Sequence, residues 1–296
     1  MYEHPTIEYS RGDKAQFSDL DKMWVEKGSK KDWDHLHDLH YKAESLPAGP
    51  HFWRCVYENE ETGEHRIVGI VVMSSVSLLL GPRHVLLPKL KPGKDTKITN
   101  KYRAVWLNQN MRRAARIVTD TMYRGVGVSY RMVNLASRME GRRYIEIQSS
   151  MSKFNPFDQK AGFNHAPLRR AAAFDQGLRF FRSYFQSNPA DSKAIVDELE
   201  RMKPSTQAVV VQKMREFYYK HSAKEKTGSN LNSGTGKVDL MQARQLLKEL
   251  QQLVFASPVY GLYENPDFGR EIPDRLPLRA YDWQLPTEPL RLENLQ

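Results

Sequence analysis

Between Arg116 and Leu135 a β-branched run, Arg116 to Thr119, leads through Asp-Thr-Met-Tyr-Arg-Gly-Val-Gly-Val into the opening of a helix at Ser129. Gly125 and Gly127 remove the side chains that would hold a ligand off the backbone, and helix N-terminal amides point into the space they leave. With Arg124 beside them, these groups suit an anion such as a pyrophosphate. Tyr123, Arg124, Gly125, Val126, Gly127 and Val128 are therefore the candidate donor-binding residues. No Gly-Lys-Ser/Thr follows, so this is not a Walker loop, and the missing third glycine excludes a dinucleotide fingerprint. Taken alone, Arg-Gly-x-Gly describes an ordinary strand-to-helix turn equally well.

A second block narrows the reading. Arg143 to Gln148 alternates as a strand, and Phe154 to Phe163 reads as a short helix closed by Gly162, with Asn155 seven residues before the Gly-Phe pair. The two blocks together resemble the acyl-CoA site of the GNAT superfamily of N-acetyltransferases. The run Ser-Met-Ser-Lys-Phe-Asn-Pro-Phe-Asp-Gln-Lys-Ala-Gly-Phe is more particular. It looks like the acetyltransferase-like domain fused to some ABC-type ATPases and, more distantly, like the Mom-type DNA modification proteins of bacteriophages. The resemblance runs from about Trp33 to Phe163. It implies a donor site for acetyl-CoA or another acyl or aminoacyl donor, with Asn155 among its residues. Many members carry, four residues before that glycine, a Tyr that protonates the departing thiolate; here the position is Asp158. Tyr123, Tyr130 and Tyr41 are the alternative acids.

His35, His37 and His40 fall within six residues but lack the spacing of a known metal motif, so no metal site is assigned. His40-Tyr41 matches a His-Tyr pair at the corresponding point of the ATPase-fused and Mom-type proteins. A histidine there can take a proton from an attacking amine. Asp120 and Ser149 follow the ends of the two central strands, where side chains face a ligand or cap a turn. The candidate catalytic set is His40, Tyr41, Asp120, Ser149 and Asp158.

The window Arg83 to Arg116 holds ten lysines and arginines against one acid, Asp95, and so carries +9 of the chain's net +10. Pro88, Pro92 and Gly93 punctuate it, and Tyr102 and Trp106 interleave it, as in a flexible arm for a polyanion. Lys89, Lys91, Lys94, Lys97, Lys101, Arg103, Trp106, Arg112 and Arg113 are the candidate nucleic-acid-binding residues, with double-stranded DNA or another nucleic acid as partner. A solvated charged loop is the plainer alternative.

These side chains need a scaffold. Phe52 to Tyr57 and Arg66 to Ser74 form a hairpin around Glu61-Thr62-Gly63. The expected fold is α+β, a mixed, largely antiparallel sheet with a splayed parallel pair at Arg116–Thr119 and Arg143–Gln148, flanked by helices. Residues 1 to 30 read as an N-terminal helical element (Phe17, Leu20, Met23, Trp24), and 31 to 165 as the GNAT-like domain. Residues 166 to 256 read as a helical extension with a linker at 224 to 237, and 257 to 296 as a Pro-rich extended tail. Gly234-Thr-Gly-Lys lacks the other P-loop residues and is rejected as a nucleotide site. At 296 residues and 40% apolar content the chain buries a sizeable core. The single cysteine, Cys55, excludes an internal disulfide and falls in a strand as a buried thiol. No apolar run approaches the roughly 18 residues that span a bilayer, and Glu3 and Glu8 give the N-terminus no signal-peptide character; a cytoplasmic protein without a membrane partner is expected.

Three functions fit this reading. The first is a Mom-like enzyme passing an acyl- or aminoacyl-derived group to a nucleobase, at adenine N6 by the resemblance. The second is an acetyl-CoA-dependent N-acetyltransferase acting on a protein, a small amine or an aminoacylated RNA. The third is a non-catalytic nucleic-acid-binding protein on a degenerate transferase fold.

Overall fold

The computed structural model describes residues 18–40, 46–91, 96–153, 155–167, 174–222, 237–255 and 258–295. The chain divides into two compact units, one of 1–166 with 260–296 and one of 167–259. Tyr41, Lys94 and all but the last residue of the 224–237 linker lie outside the described residues.

The first unit is built on an eight-stranded sheet of order β6-β7-β5-β4-β3-β2-β1-β8. Its strands are β1 Met23–Lys27, β2 His51–Asn59, β3 Glu64–Ser74, β4 Met111–Thr119, β5 Tyr144–Ser149, β6 Asn164–His165, β7 Val259–Glu264 and β8 Arg275–Pro277. The expected hairpin is β2–β3, which pairs antiparallel from His51↔Met73 to Asn59↔Glu64. β3 is apolar and buried along its second half, as a central strand requires, and pairs antiparallel with β4. β4 and β5 form the parallel pair, from Met111↔Tyr144 to Ala114↔Ile147. The fold is thus the α+β architecture expected, a mostly antiparallel sheet with one splayed parallel pair, flanked by helices.

Among the described residues five α-helices belong to this unit as far as Ala166, and a sixth opens the second unit. They are α1 Lys30–Leu36, α2 Arg83–Leu86, α3 Thr96–Asn110, α4 Val128–Met139, α5 Phe157–Lys160 and, in the second unit, α6 Phe174–Tyr184. α4 buries Val128, Met132, Val133, Leu135 and Ala136 in the main core with Val25, Cys55, Val71, Ile145 and Ile147. Cys55 is fully buried, and that burial pushes its thiol pKa up.

Three expectations are corrected. Met23 and Trp24 belong to a strand and not to a helix: β1 pairs with β2 and β8, so its alternating burial overrides the local helical spacing. The basic window is not an arm, because α3 and β4 occupy most of it. The residues after 257 are not a tail laid on the surface. β7 inserts beside β5, β8 closes the far edge, and the stretch between Asp267 and Leu290 satisfies a polar stripe buried on α4. There Arg138 pairs with Asp267 and donates to Pro286 O and Glu288 O, both at 2.8 Å, while Asn134 Nδ2 donates to Pro286 O at 3.1 Å. The prolines exclude long helices, not short strands whose amides find partners elsewhere.

In the second unit α6, α7 Ser192–Arg201, α8 Pro204–His221 and α9 Ala243–Phe255 enclose a separate core of Phe181, Ile195, Leu199, Met214, Leu246 and Leu250. Asp191 caps α7, accepting from Ala194 N at 3.0 Å. Val210, Met214 and Tyr218 of α8 are buried, whereas Val209 is 58% exposed. Among the described residues no helix is long and apolar enough to cross a membrane.

Candidate functional site

Parallel strands that share a register stay hydrogen-bonded only while both remain straight. β3 and β4 lose register between Val72 and Met73, which pair with Arg116 and Ala114, so Ala115 bulges from the ladder. The β4–β5 pairing stops at that level, after Ala114↔Ile147. β4 continues to Thr119 alone, and the two strands part around a cleft of about 470 Å³. Ala114, Ala115, Ile117, Val118 and Thr119 line one side of it, and Ile147, Gln148 and Ser149 the other.

The turn after β4 is fixed by Asp120. Its amide donates to Val68 O at 2.8 Å and its carboxylate accepts from Met122 N at 2.9 Å, holding a single 3-10 turn over Thr121–Tyr123. Gly125 and Gly127 follow with φ of 87° and 89°, values that L side chains rarely adopt. Gly127 is the N-cap of α4 and supplies no capping side chain, so the helix opens uncapped on the cleft, which Gly127, Val128 and Ser129 line. A Cβ at Gly127 would come within 2.3 Å of Arg131 Nη1, whereas one at Gly125 would meet nothing within 4 Å. Arg124 lines the cleft and is steadied by donating from Nε to Thr119 O at 3.1 Å.

Of the sequence-predicted residues, the cleft gathers His40, Tyr123, Arg124, Gly125, Gly127, Val128, Ser149 and Asn155. His40 stands 6.0 Å from the ring of Trp33, which packs with Val118 of β4. Ser149 Oγ accepts from Ser152 N at 3.2 Å, a turn-capping bond. Three residues fall elsewhere. Val126 packs against the main core. Asp120 caps the turn and does not line the cleft. Asp158 is fully buried, facing away on α5 with its carboxylate 2.8 Å from His165 Nε2, so it does not replace the missing tyrosine.

Tyr130 and Lys160 also line the cleft, with Lys160 Nζ 5.8 Å from the centre of the Tyr130 ring. Leu39, Gln148, Met151 and Phe157 complete it. Lys160 carried no motif of its own; its place two residues before Gly162 was the available signal. Burial raises the pKa of both Tyr123 and Tyr130, so both hydroxyls keep their protons at neutral pH. The charged side chains are Arg124 and Lys160, with His40 beside them, and among the described residues no Asp or Glu lines the cleft. This arrangement fits an anionic donor: φ-positive glycines allow close approach, an uncapped helix start offers amides, and two cations stand within reach.

The nucleic-acid set is placed differently from its expectation, and none of its described members lines the cleft. Lys89 and Lys91 are exposed after α2, and Lys97 and Lys101 lie on α3. Arg103 is 4% exposed, too buried to grip a phosphate backbone. Trp106 is half-buried, 6.1 Å from the Tyr144 ring. Arg112 pairs with Glu140 at 3.3 Å, and Arg113 donates to Gln148. Tyr102, 69% exposed, is the aromatic that α3 presents to solvent.

No family model matches this chain, and no curated protein matches it. Among solved structures it is similar to a mutant agmatine N-acetyltransferase in its apo form, at 15% identity over 51% of this chain and 87% of that one, with a TM-score of 0.30. It is similar also to the Drosophila melanogaster polyamine N-acetyltransferase that forms N-acetylagmatine, at 16% identity over 50% and 86% of the two chains, with a TM-score of 0.30. Likeness of this degree bears on neither donor nor acceptor. What the strand order and the fork define is an α+β unit with a cationic cleft between two parting parallel strands.

Proposed function

We propose that the protein is a group transferase that binds an acyl- or aminoacyl-bearing anionic donor in the fork and passes the group to an amine. One observation carries this: the glycine turn and the bare start of α4 open into the same cleft as His40, at the point where β4 and β5 part. Gly125, Gly127, Val128, Arg124 and Lys160 would hold the donor, with acetyl-CoA as the simplest case. When bound, the donor supplies an activated carbonyl carbon. The bulge at Ala115 leaves backbone groups outside the ladder at the cleft wall, where they would be available to the donor, and Arg116 Nη1 already occupies Ala115 O at 2.9 Å. The amine nitrogen forms the new N–C bond while the bond to the leaving group breaks. His40 takes the proton from nitrogen, and Tyr130, protonated and lining the cleft, gives one to the leaving group.

For the acceptor, the lining favours an uncharged amine. A cleft with Arg124 and Lys160 and, among its described residues, no carboxylate repels an alkylammonium and tolerates a nucleobase amine. Adenine N6 is the position that the Mom-type resemblance names, and exposed Lys89 and Lys91 would meet the backbone. The test is mass spectrometry of nucleosides from DNA of cells making the protein. A new adenine adduct that disappears with Arg124→Ala and with His40→Ala supports the reading. Unchanged nucleosides beside acetyl-CoA turnover on alkylamines overturn the nucleobase acceptor, and DNA binding with no transfer of any kind overturns the enzyme.

A further inference from the structure

We propose that Gln148, held by Arg113, selects the acceptor by donating a hydrogen bond to a ring nitrogen adjacent to the amine that is modified. This rests on the group-transfer reading and deepens it. Gln148 is the residue of β5 that follows the last parallel pair, Ala114↔Ile147, so it sits at the open mouth of the fork, and it lines the cleft. Arg113, whose strand position pairs with Glu146, donates from Nη2 to Gln148 Oε1.

That contact settles which way the amide points. The two ends of a glutamine amide differ little in shape, and their assignment follows from their partners. Arginine has donors and no acceptor. Oε1 must therefore face Arg113, and Nε2 with its two hydrogens must face away. Among the described residues the Gln148 side chain makes no other hydrogen bond, so a cleft-lining residue keeps an oriented, unused donor.

A fixed donor reads an acceptor. Adenine sets a ring-nitrogen acceptor next to its exocyclic amine. A lysine side chain or a polyamine carries no such neighbour and is a cation at neutral pH. Gln148 thus adds to the discrimination that Arg124 and Lys160 begin, and Arg113, counted above among residues for the nucleic-acid backbone, is a positioning residue. The exposed side chains of Leu39 and Met151 at the cleft offer apolar contact to a planar ring.

The test measures binding of short labelled oligothymidylates carrying one central adenine, 1-deazaadenine, 7-deazaadenine or thymine, by fluorescence anisotropy at fixed salt. Wild-type protein is expected to bind the adenine strand about three- to tenfold tighter than the thymine strand, the worth of one hydrogen bond. One deaza analogue should fall to the thymine level and so name the nitrogen. Gln148→Glu keeps the shape and the tie to Arg113 but removes the donor, and Gln148→Leu removes both. Each should erase the adenine preference, read as the ratio of the adenine-strand to the thymine-strand affinity within each variant, with circular dichroism and the thermal midpoint showing both variants folded. Adenine preference that survives in both variants, or none in the wild type, overturns the role of Gln148 even where DNA adducts form. Failure to bind any strand, with acyl transfer to an alkylamine instead, overturns the nucleobase reading on which the inference stands.

Discussion

At the scale of single residues, the two turn glycines give different outcomes from one substitution. Both have φ near +90°, so alanine at either position carries backbone strain of about 1–2 kcal/mol. At Gly125 that is all, because the new Cβ meets nothing within 4 Å. At Gly127 the Cβ also displaces Arg131, whose Nε donates to Asp282 at 2.8 Å and whose guanidinium packs on the Tyr130 ring. We expect urea titration to show a small loss of stability for Gly125→Ala and a larger one for Gly127→Ala, while calorimetry with CoA shows weakened donor binding that is also greater for Gly127→Ala. Tyr130→Phe tests the acid. Burial raises the hydroxyl's pKa above its ordinary value of 10.0, so the group stays protonated, and its contribution should hold until the pH exceeds that value. Removing it should lower the transfer rate by about 10²- to 10⁴-fold, with little change in KM, and equal rates in the phenylalanine variant would pass the role to Tyr123.

Between residues and fold stand the elements, and what the sequence disclosed there follows the range of the forces involved. The turn from Tyr123 to Val128 and the helix after it were legible because glycine φ and helix capping are local. The β2–β3 hairpin was legible for the same reason. β1, β7 and β8 were not, because each is short and gains its order from partners distant in the chain, such as Val25 against both Cys55 and Leu276. Asp158 misled by position: its register matched a family residue, but α5 turns it inward onto His165. Gln148 could not be singled out, since its donor role depends on Arg113 across the sheet. α1, which leads to His40, shows a local device with a pH signature. Asp32 Oδ2 accepts from Ser29 N at 2.6 Å and Ser29 Oγ at 2.7 Å, and Asp32 Oδ1 accepts from Arg54 Nη1 at 3.0 Å. Burial alone would raise the carboxyl's pKa, but these bonds hold it below the ordinary 3.8. A depressed acid stabilises fully above the unfolded-state value and loses that contribution as the pH falls through the folded one. The stability Asp32 supplies should therefore be constant at neutral pH and drain away below 3.8. Asp32→Asn should cost about 1–2 kcal/mol at pH 7 and flatten that part of the acid titration; an unaltered acid limb in the variant would place the linkage elsewhere.

For the whole molecule, the way one unit interrupts the other makes a separable part of the helical one. β6 and β7 pair antiparallel as Asn164↔Leu262 and His165↔Gly261, and Ala166 N donates to Tyr260 O at 2.9 Å. The chain therefore leaves and re-enters the sheet at paired positions, the geometry a tight hairpin loop closes. The residues between, 167–259, have their own core around Phe181, Leu199, Met214 and Leu250, and an inserted domain of this kind can fold on contacts within itself. Loop closure adds little, because its entropy grows only with the logarithm of the excised length. We expect that replacing 167–259 with a loop of about four residues containing Gly leaves a folded first unit. Its thermal midpoint should lie within a few degrees of the matching transition in the intact chain, and its CoA affinity should be retained, since every described residue lining the cleft belongs to that unit. Removing 260–296 has the opposite expectation. It strips β7 from β5, leaves Arg138 buried without Asp267, and deprives Glu146 of the Tyr260 hydroxyl at 3.1 Å. An unpaired buried charge alone costs about 3–5 kcal/mol, a large share of a domain's stability. That truncation should yield an aggregating chain without a cooperative melt, and a soluble, cooperatively melting product would show that the sheet closes without its C-terminal strands.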